Sequence, residues 1–118
     1  MYSRQVLEQF QNTRYVGDLP DASAYARVDN PACGDTLQLA IKVADGRIAD
    51  ARFRARGCVA AIACGAQLVE IIVGQPLAQV RNLRRERLVE TLGGLPETSM
   101  HASQLAIDAL AAVLKAAS

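Results

Sequence analysis

A β-hairpin in the middle of the chain constrains the fold more than any other feature of the sequence. Apolar and polar residues alternate over 36–43, which is the period of a half-buried strand. Asp45-Gly46 follows, a dipeptide that favours a two-residue hairpin turn. The return strand is predicted from Ile48 to Arg56, and its apolar side is predicted to consist of Ala49, Ala51, Phe53 and Ala55. The hairpin therefore has one apolar face that other elements must cover.

Helical patterns supply that cover. Apolar residues recur at helical spacing over 3–10, 58–73, 77–80, 85–92 and 99–117, with Ser99 as the predicted N-cap of the last helix. A further strand is predicted over 25–28, before the hairpin. This order indicates an α+β fold, a three-stranded antiparallel sheet with helices packed on one face. The length of 118 residues fits a single domain over 1–118.

Composition narrows the class of function. A net charge of +1 does not require a polyanionic partner, and an aromatic content of 4% gives little support for stacking on bases, so no nucleic acid is predicted as partner. No run of 18 apolar residues is present, so no membrane span is predicted. The start of the chain does not resemble a signal peptide, and three cysteines are an odd number, so we expect a reducing, cytoplasmic location. The arginine runs at 52–56 and 81–87 are expected to be solvated surface.

Three short segments contain residues that bind soft metals. They are Asn30-Pro31-Ala32-Cys33-Gly34-Asp35, Gly57-Cys58 and Met100-His101-Ala102-Ser103. Each segment lies at a junction between predicted elements, and thiolate, carboxylate and imidazole are all ligands of zinc or iron. Cys58 is expected at a helix N-terminus, where backbone N–H groups stabilise a thiolate. The sequence therefore predicts one metal centre formed by Cys33, Asp35, Cys58 and His101.

Each of these residues also has an ordinary explanation. A cysteine is usually a small buried hydrophobic residue, Asp35 could cap a turn, and a single histidine is more often a helix-end residue than a ligand. Cys64 follows Cys58 by six residues on the same predicted helix, so we expect it in the core. A nucleophilic role for Cys58 with His101 as base is weakly supported, because no third group is evident that would orient the imidazole. We therefore do not predict an enzyme.

Along nearly its whole length the chain resembles the U-type iron–sulfur scaffold family, which includes IscU and the N-terminal domain of NifU. The resemblance is carried by Asn30 to Asp35, Arg56-Gly57-Cys58, Leu92-Gly93-Gly94-Leu95-Pro96 and His101, in that order. It implies an α+β scaffold that receives sulfur from a cysteine desulfurase, assembles a transient 2Fe–2S cluster and passes it to iron–sulfur acceptor proteins. It also implies that Cys33 and Cys58 are cluster thiolates, that Asp35 keeps the cluster labile and that His101 is an auxiliary ligand. Zinc at the same residues is a further implication.

Two departures from the family pattern stand out. The family has a third cysteine directly after the histidine, where this chain has Ala102. The segment that a chaperone grips in the family reads Leu95-Pro96-Glu97-Thr98-Ser99 here, without its second proline and its lysine, so a chaperone interaction is doubtful. The four predicted donors remain, namely Cys33, Asp35, Cys58 and His101. They suffice for a tetrahedral zinc site or for a cluster with mixed ligands. The alternative function is accordingly that of a diverged zinc-binding paralogue without cluster-assembly activity.

Overall fold

An antiparallel sheet of three strands lies at the centre of the computed structural model, which describes residues 1–31 and 34–117. The strands are β1 (Ala24–Asn30), β2 (Asp35–Ala44) and β3 (Arg47–Arg56), and β2 is the central one. The predicted hairpin between β2 and β3 is confirmed. Asp45 and Gly46 have φ angles of 54° and 72°, and positive values at both positions are what a type I′ turn requires.

The predicted position of Ala49 on the apolar face is wrong. The register pairs Lys42 with Asp50 and Val43 with Ile48, so it skips Ala49 and forms a bulge. Ile48 is fully buried, whereas Ala49 is exposed. A bulge shifts the alternation by one residue, and a strict period of two therefore assigns the wrong side chain to the core at this end of the strand.

The helices have the following bounds: α1 Arg4–Gln11, α2 Val59–Ile72, α3 Leu77–Val80, α4 Arg85–Thr91 and α5 Met100–Ala117. α2 and α5 pack on the apolar face of the sheet, and α1 packs against α2. The predicted α+β architecture with helices on one face is thus confirmed. Among the helices of the described residues, none combines the length and the apolar character needed to cross a bilayer.

Ser99 does not cap the last helix as predicted. A short 3-10 helix, Glu97–Ser99, leads directly into α5, so Ser99 lies within a continuous helical run. Its Oγ lies 3.5 Å from the Tyr2 hydroxyl, and the residue is buried. The segment that follows Pro96 is therefore a folded turn that leads towards His101.

Gly65 allows α2 to lie close to the sheet. A Cβ atom at this position would lie 2.8 Å from Cδ2 of Phe53 and 3.1 Å from Cδ1 of Leu37. Both neighbours are buried core side chains. The absence of a side chain at Gly65 therefore sets the distance between α2, which begins after Cys58, and the sheet, whose central strand begins at Asp35.

We expect Gly65→Ala to destabilise the fold. Overpacking a core costs about 1–3 kcal/mol, and the better helix propensity of alanine returns at most about 1 kcal/mol. The midpoint of urea unfolding should fall, with little change in the slope. A midpoint equal to or above that of the parent protein would contradict this account of the packing between α2 and the sheet.

Candidate metal centre

Three element junctions meet at one end of the sheet. Asp35 is the first residue of β2, Cys58 is the N-cap of α2, and His101 lies in the first turn of α5. One ligand atom from each of these residues lies within 4.8 Å of the other two. The structure thus brings together three of the four predicted ligands. Cys33, the fourth, lies outside the described residues.

The carboxylate of Asp35 lies between the other two side chains. The Cys58 thiol donates to Oδ2 of Asp35 at 3.4 Å, and Nε2 of His101 lies 3.1 Å from the same oxygen. With metal–ligand bonds of about 2.0–2.3 Å, donor atoms at a tetrahedral ion are separated by roughly 3.3–3.8 Å. Two of the separations are already close to that range. The same three atoms could therefore surround a cation with small side-chain movements.

Asp35 is also bound to the backbone at the start of α2. Asp35 is only 2% exposed, and its Oδ1 accepts a hydrogen bond from the backbone N–H of Cys58 at 3.1 Å. This contact follows from the strand register, because the pairing of Thr36 with Arg56 places Asp35 opposite Gly57. Asp35 is thus held in place by one oxygen while its other oxygen faces the candidate ligands.

The thiol of Cys58 does not have the lowered pKa that its helix position predicted. Its Sγ accepts the N–H of Ala61 at 3.4 Å, and this hydrogen bond does lower the pKa. Burial has the largest effect, however, and together with the neighbouring Asp35 carboxylate it raises the pKa of Cys58. The raised pKa favours the protonated thiol, which donates a hydrogen bond to Asp35.

The position of Asp35 also shows that the expectation of no group orienting the His101 imidazole was wrong. The carboxylate contacts Nε2 of His101, so a third group is present. It does not form the arrangement of a cysteine nucleophile, in which the histidine accepts the thiol proton, because the thiol of Cys58 donates to the carboxylate. The three side chains form a cluster of donors centred on Asp35.

Cys64 and Ala102 belong to the hydrophobic core. Cys64 has no exposed surface, and burial raises the pKa of its thiol to about 12. The predicted core role of Cys64 is therefore confirmed. Ala102, the residue at which the family pattern has its third cysteine, is 1% exposed and packs within the same core.

The arginines of β3 lie on the face of the sheet that the helices leave open. Arg54 forms an ion pair with Asp18 at 2.9 Å and is exposed, and this pairing lowers the pKa of Asp18. Arg52 pairs with Asp50 and lies over the ring of Tyr15 at 5.7 Å. This arrangement agrees with the prediction of a solvated strand face.

The sequence model of the NifU-like N terminal domain matches residues 1–117. The chain belongs to this family. Among its NifU-like relatives, iron–sulfur cluster assembly scaffold protein IscU 1 of Archaeoglobus fulgidus is 44% identical over 110 residues, which cover 93% of this chain and 72% of that protein. The scaffold protein IscU of Haemophilus influenzae is 38% identical over 96% of this chain and 92% of its own length.

Solved structures of NifU-like proteins share the fold. The N-terminal NifU-like protein of Brucella abortus superposes with a TM-score of 0.78 at 21% identity, over 98% of this chain and 92% of that one. The putative iron–sulfur cluster assembly scaffold protein for the SUF system from Fervidobacterium islandicum gives a TM-score of 0.70 at 19% identity, with 96% of each chain covered. The family and the architecture that the motifs implied are thus both confirmed.

Gly57 is the residue of the site to which sequence reasoning assigned no separate role. It has a φ of 125° and lies against the Asp35 carboxylate. The available signal was its position, since a glycine between the end of a strand and a candidate ligand often marks a close approach of the backbone to another group.

Proposed function

We propose that this protein is a scaffold on which a 2Fe–2S cluster is assembled and from which the cluster is transferred to acceptor proteins. The observation that carries the proposal is the convergence of Asp35, Cys58 and His101 at three element junctions. It is supported by membership of the NifU-like family and by relatives that are named cluster assembly scaffold proteins. The cluster is the cargo of such a protein, which returns to its metal-free form after transfer.

The donor set fits this cargo. A 2Fe–2S cluster takes four protein ligands, and imidazole can replace thiolate in such clusters. Cys58 supplies a thiolate, His101 an imidazole nitrogen and Asp35 its Oδ2, and we assign the fourth position to Cys33, which precedes Asp35 by two residues. A carboxylate oxygen is a harder ligand than a thiolate and binds iron–sulfur centres less firmly. Asp35 therefore favours release of the cluster.

The partners follow from this role. A cysteine desulfurase supplies the sulfur, a source of iron supplies the metal, and iron–sulfur acceptor proteins receive the product. Both thiolates must stay reduced, which agrees with a cytoplasmic location. The protein holds the cluster without turning over a substrate of its own, so its role is that of a scaffold. Zinc can occupy the same four donors as a closed tetrahedral site.

Anaerobic reconstitution tests the proposal. The purified protein is incubated with ferrous iron, a cysteine desulfurase, cysteine and a thiol reductant, and visible charge-transfer absorption is followed over time. We expect the absorption to develop only when the desulfurase is present. A relative that has the family's cysteine directly after the histidine serves as the positive control. Colour in that control and none in this protein, with zinc retained after desalting, would favour the zinc-binding alternative.

We expect Ala102→Cys to lengthen the lifetime of the bound cluster. The substitution restores the third thiol of the family pattern next to His101, and a thiolate binds iron–sulfur centres more firmly than a carboxylate. The half-life during transfer to an apo-acceptor should rise roughly tenfold, at the lower end of the effect of single residues around metal sites. Ala102→Ser is the matched control, since it is similar in size and has no thiol. Equal half-lives for the two variants would contradict the prediction.

A further inference from the structure

We propose that Gly57 is a positioning residue for the Asp35 carboxylate. Its lack of a side chain lets the carboxylate bind the backbone of Cys58 with one oxygen and present the other oxygen to the cargo. The part of this inference that concerns the cargo rests on the proposed scaffold function. The part that concerns the carboxylate rests on geometry alone.

A side chain at residue 57 would occupy the position of the carboxylate. A Cβ built on Gly57 would lie 1.9 Å from Oδ1, 2.7 Å from Cγ and 3.0 Å from Cα of Asp35. Because the backbone Cα is among the atoms in contact, rotation of the Asp35 side chain alone would not relieve the overlap. Asp35 is also buried, so it has little room to move.

The orientation of the carboxylate matters because its two oxygens have different contacts. Oδ1 accepts the N–H of Cys58 at 3.1 Å, whereas Oδ2 lies 3.4 Å from the Cys58 thiol and 3.1 Å from Nε2 of His101. A displacement of Oδ1 moves Oδ2 as well, since both belong to one rigid group. Gly57 therefore determines which oxygen meets the cargo and where that oxygen lies.

The chain contains a matched control for backbone strain. Gly57 has a φ of 125°, a conformation that residues with side chains rarely adopt, so any substitution there is strained. Gly17 has a φ of 137°, but a Cβ built on it meets no atom within 4 Å. Gly17→Ala therefore carries a comparable backbone cost without a collision, and the difference between the two variants isolates the effect on Asp35.

The first measurement is a double-mutant cycle by urea unfolding of the metal-free protein. Gly57→Ala is compared in the parent and in the Asp35→Ala background, with Gly17→Ala as the control in both. We expect Gly57→Ala to raise the unfolding equilibrium constant about tenfold more in the parent than in the Asp35→Ala protein, as for residues in direct contact. Gly17→Ala should have the same effect in both. A variant that folds only when Asp35 is alanine gives the expected result in its strongest form.

The second measurement is the lifetime of the reconstituted cluster, which a merely structural role would not change. The half-life in Gly57→Ala should move from the parent value to that of Asp35→Ala, and Gly17→Ala should keep the parent value. Equal costs of Gly57→Ala in the two backgrounds, or failure of both proteins to fold while Gly17→Ala folds, would overturn the proposal. An unchanged half-life in Gly57→Ala would overturn it too. Absence of a cluster in the parent would refute the scaffold function instead, and the unfolding cycle would still test Gly57.

Discussion

Cys58→Ala is expected to abolish retention of the cluster, whereas Cys64→Ala is expected to preserve it. Both cysteines lie on or at the start of α2, and the substitution is the same. They differ in surroundings, because the thiol of Cys58 contacts Asp35 while Cys64 is enclosed by the core. By the same reasoning Cys33→Ala should behave like Cys58→Ala, since residue 33 is the assigned fourth ligand.

The size of the effect can be estimated from a zinc-loaded form. A structural zinc site contributes about 10–16 kcal/mol over four ligands, so the loss of one ligand costs on the order of 3 kcal/mol, or roughly a hundredfold in affinity. Competition with a chromophoric zinc chelator measures that change, and reconstitution measures the loss of cluster absorption.

Stability provides the control for this pair. Cys64→Ala removes a fully buried group and should lower the free energy of unfolding by about 1 kcal/mol while metal affinity is unchanged. Cys58→Ala removes a partly buried thiol and should disturb the fold less. Comparable losses of metal from the two variants would show that Cys64 also holds the metal and that its assignment to the core alone is wrong.

Asp35→Ala is expected to destabilise the protein and yet to prolong the life of a bound cluster. Without the carboxylate, the N–H of Cys58 loses its acceptor, and an unsatisfied donor of this kind costs about 1–3 kcal/mol. The cluster at the same time loses its oxygen ligand, whose position a thiolate from the reductant can take and hold more firmly. The stability of the protein should therefore fall while the lifetime of the cluster rises. A purely structural role of Asp35 would not lengthen that lifetime.

Asp35→Asn separates these effects. The amide oxygen can still accept the N–H of Cys58, so stability should remain near that of the parent, while the charge that faces the cargo is lost. Urea unfolding measures the first property and the rate of transfer to an apo-acceptor the second. Faster loss of the cluster from Asp35→Ala than from the parent would contradict the assigned role.

The sequence predicted those features that depend on local patterns. The alternation in β2 and the Asp45-Gly46 turn are local, and both were predicted correctly. The bulge at Ala49 was missed because it depends on pairing with Lys42 and Val43 on the neighbouring strand. Ser99 was misassigned for a similar reason, since its side chain faces Tyr2, a residue far away in the chain.

In the candidate site, too, the sequence predicted local features and missed those that depend on contacts between distant residues. The donor types and their junctions could be recognised from the segments around Asp35, Cys58 and His101. The raised pKa of Cys58 could not be recognised from the sequence. It depends on how deeply the thiol is buried and on the position of the Asp35 carboxylate, which belongs to β2. The close approach of Gly57 to Asp35 likewise depends on a distance between two separate segments of the chain, which no sequence spacing specifies.

A crystal structure of the anaerobically reconstituted protein, with anomalous data collected at the iron edge, tests the central claim most directly. We predict one anomalous feature at the junction of β2, α2 and α5, bonded to Cys58 Sγ, to Asp35 Oδ2 and to an imidazole nitrogen of His101. Iron located elsewhere on the protein, with these three side chains still hydrogen-bonded to one another, would contradict the account.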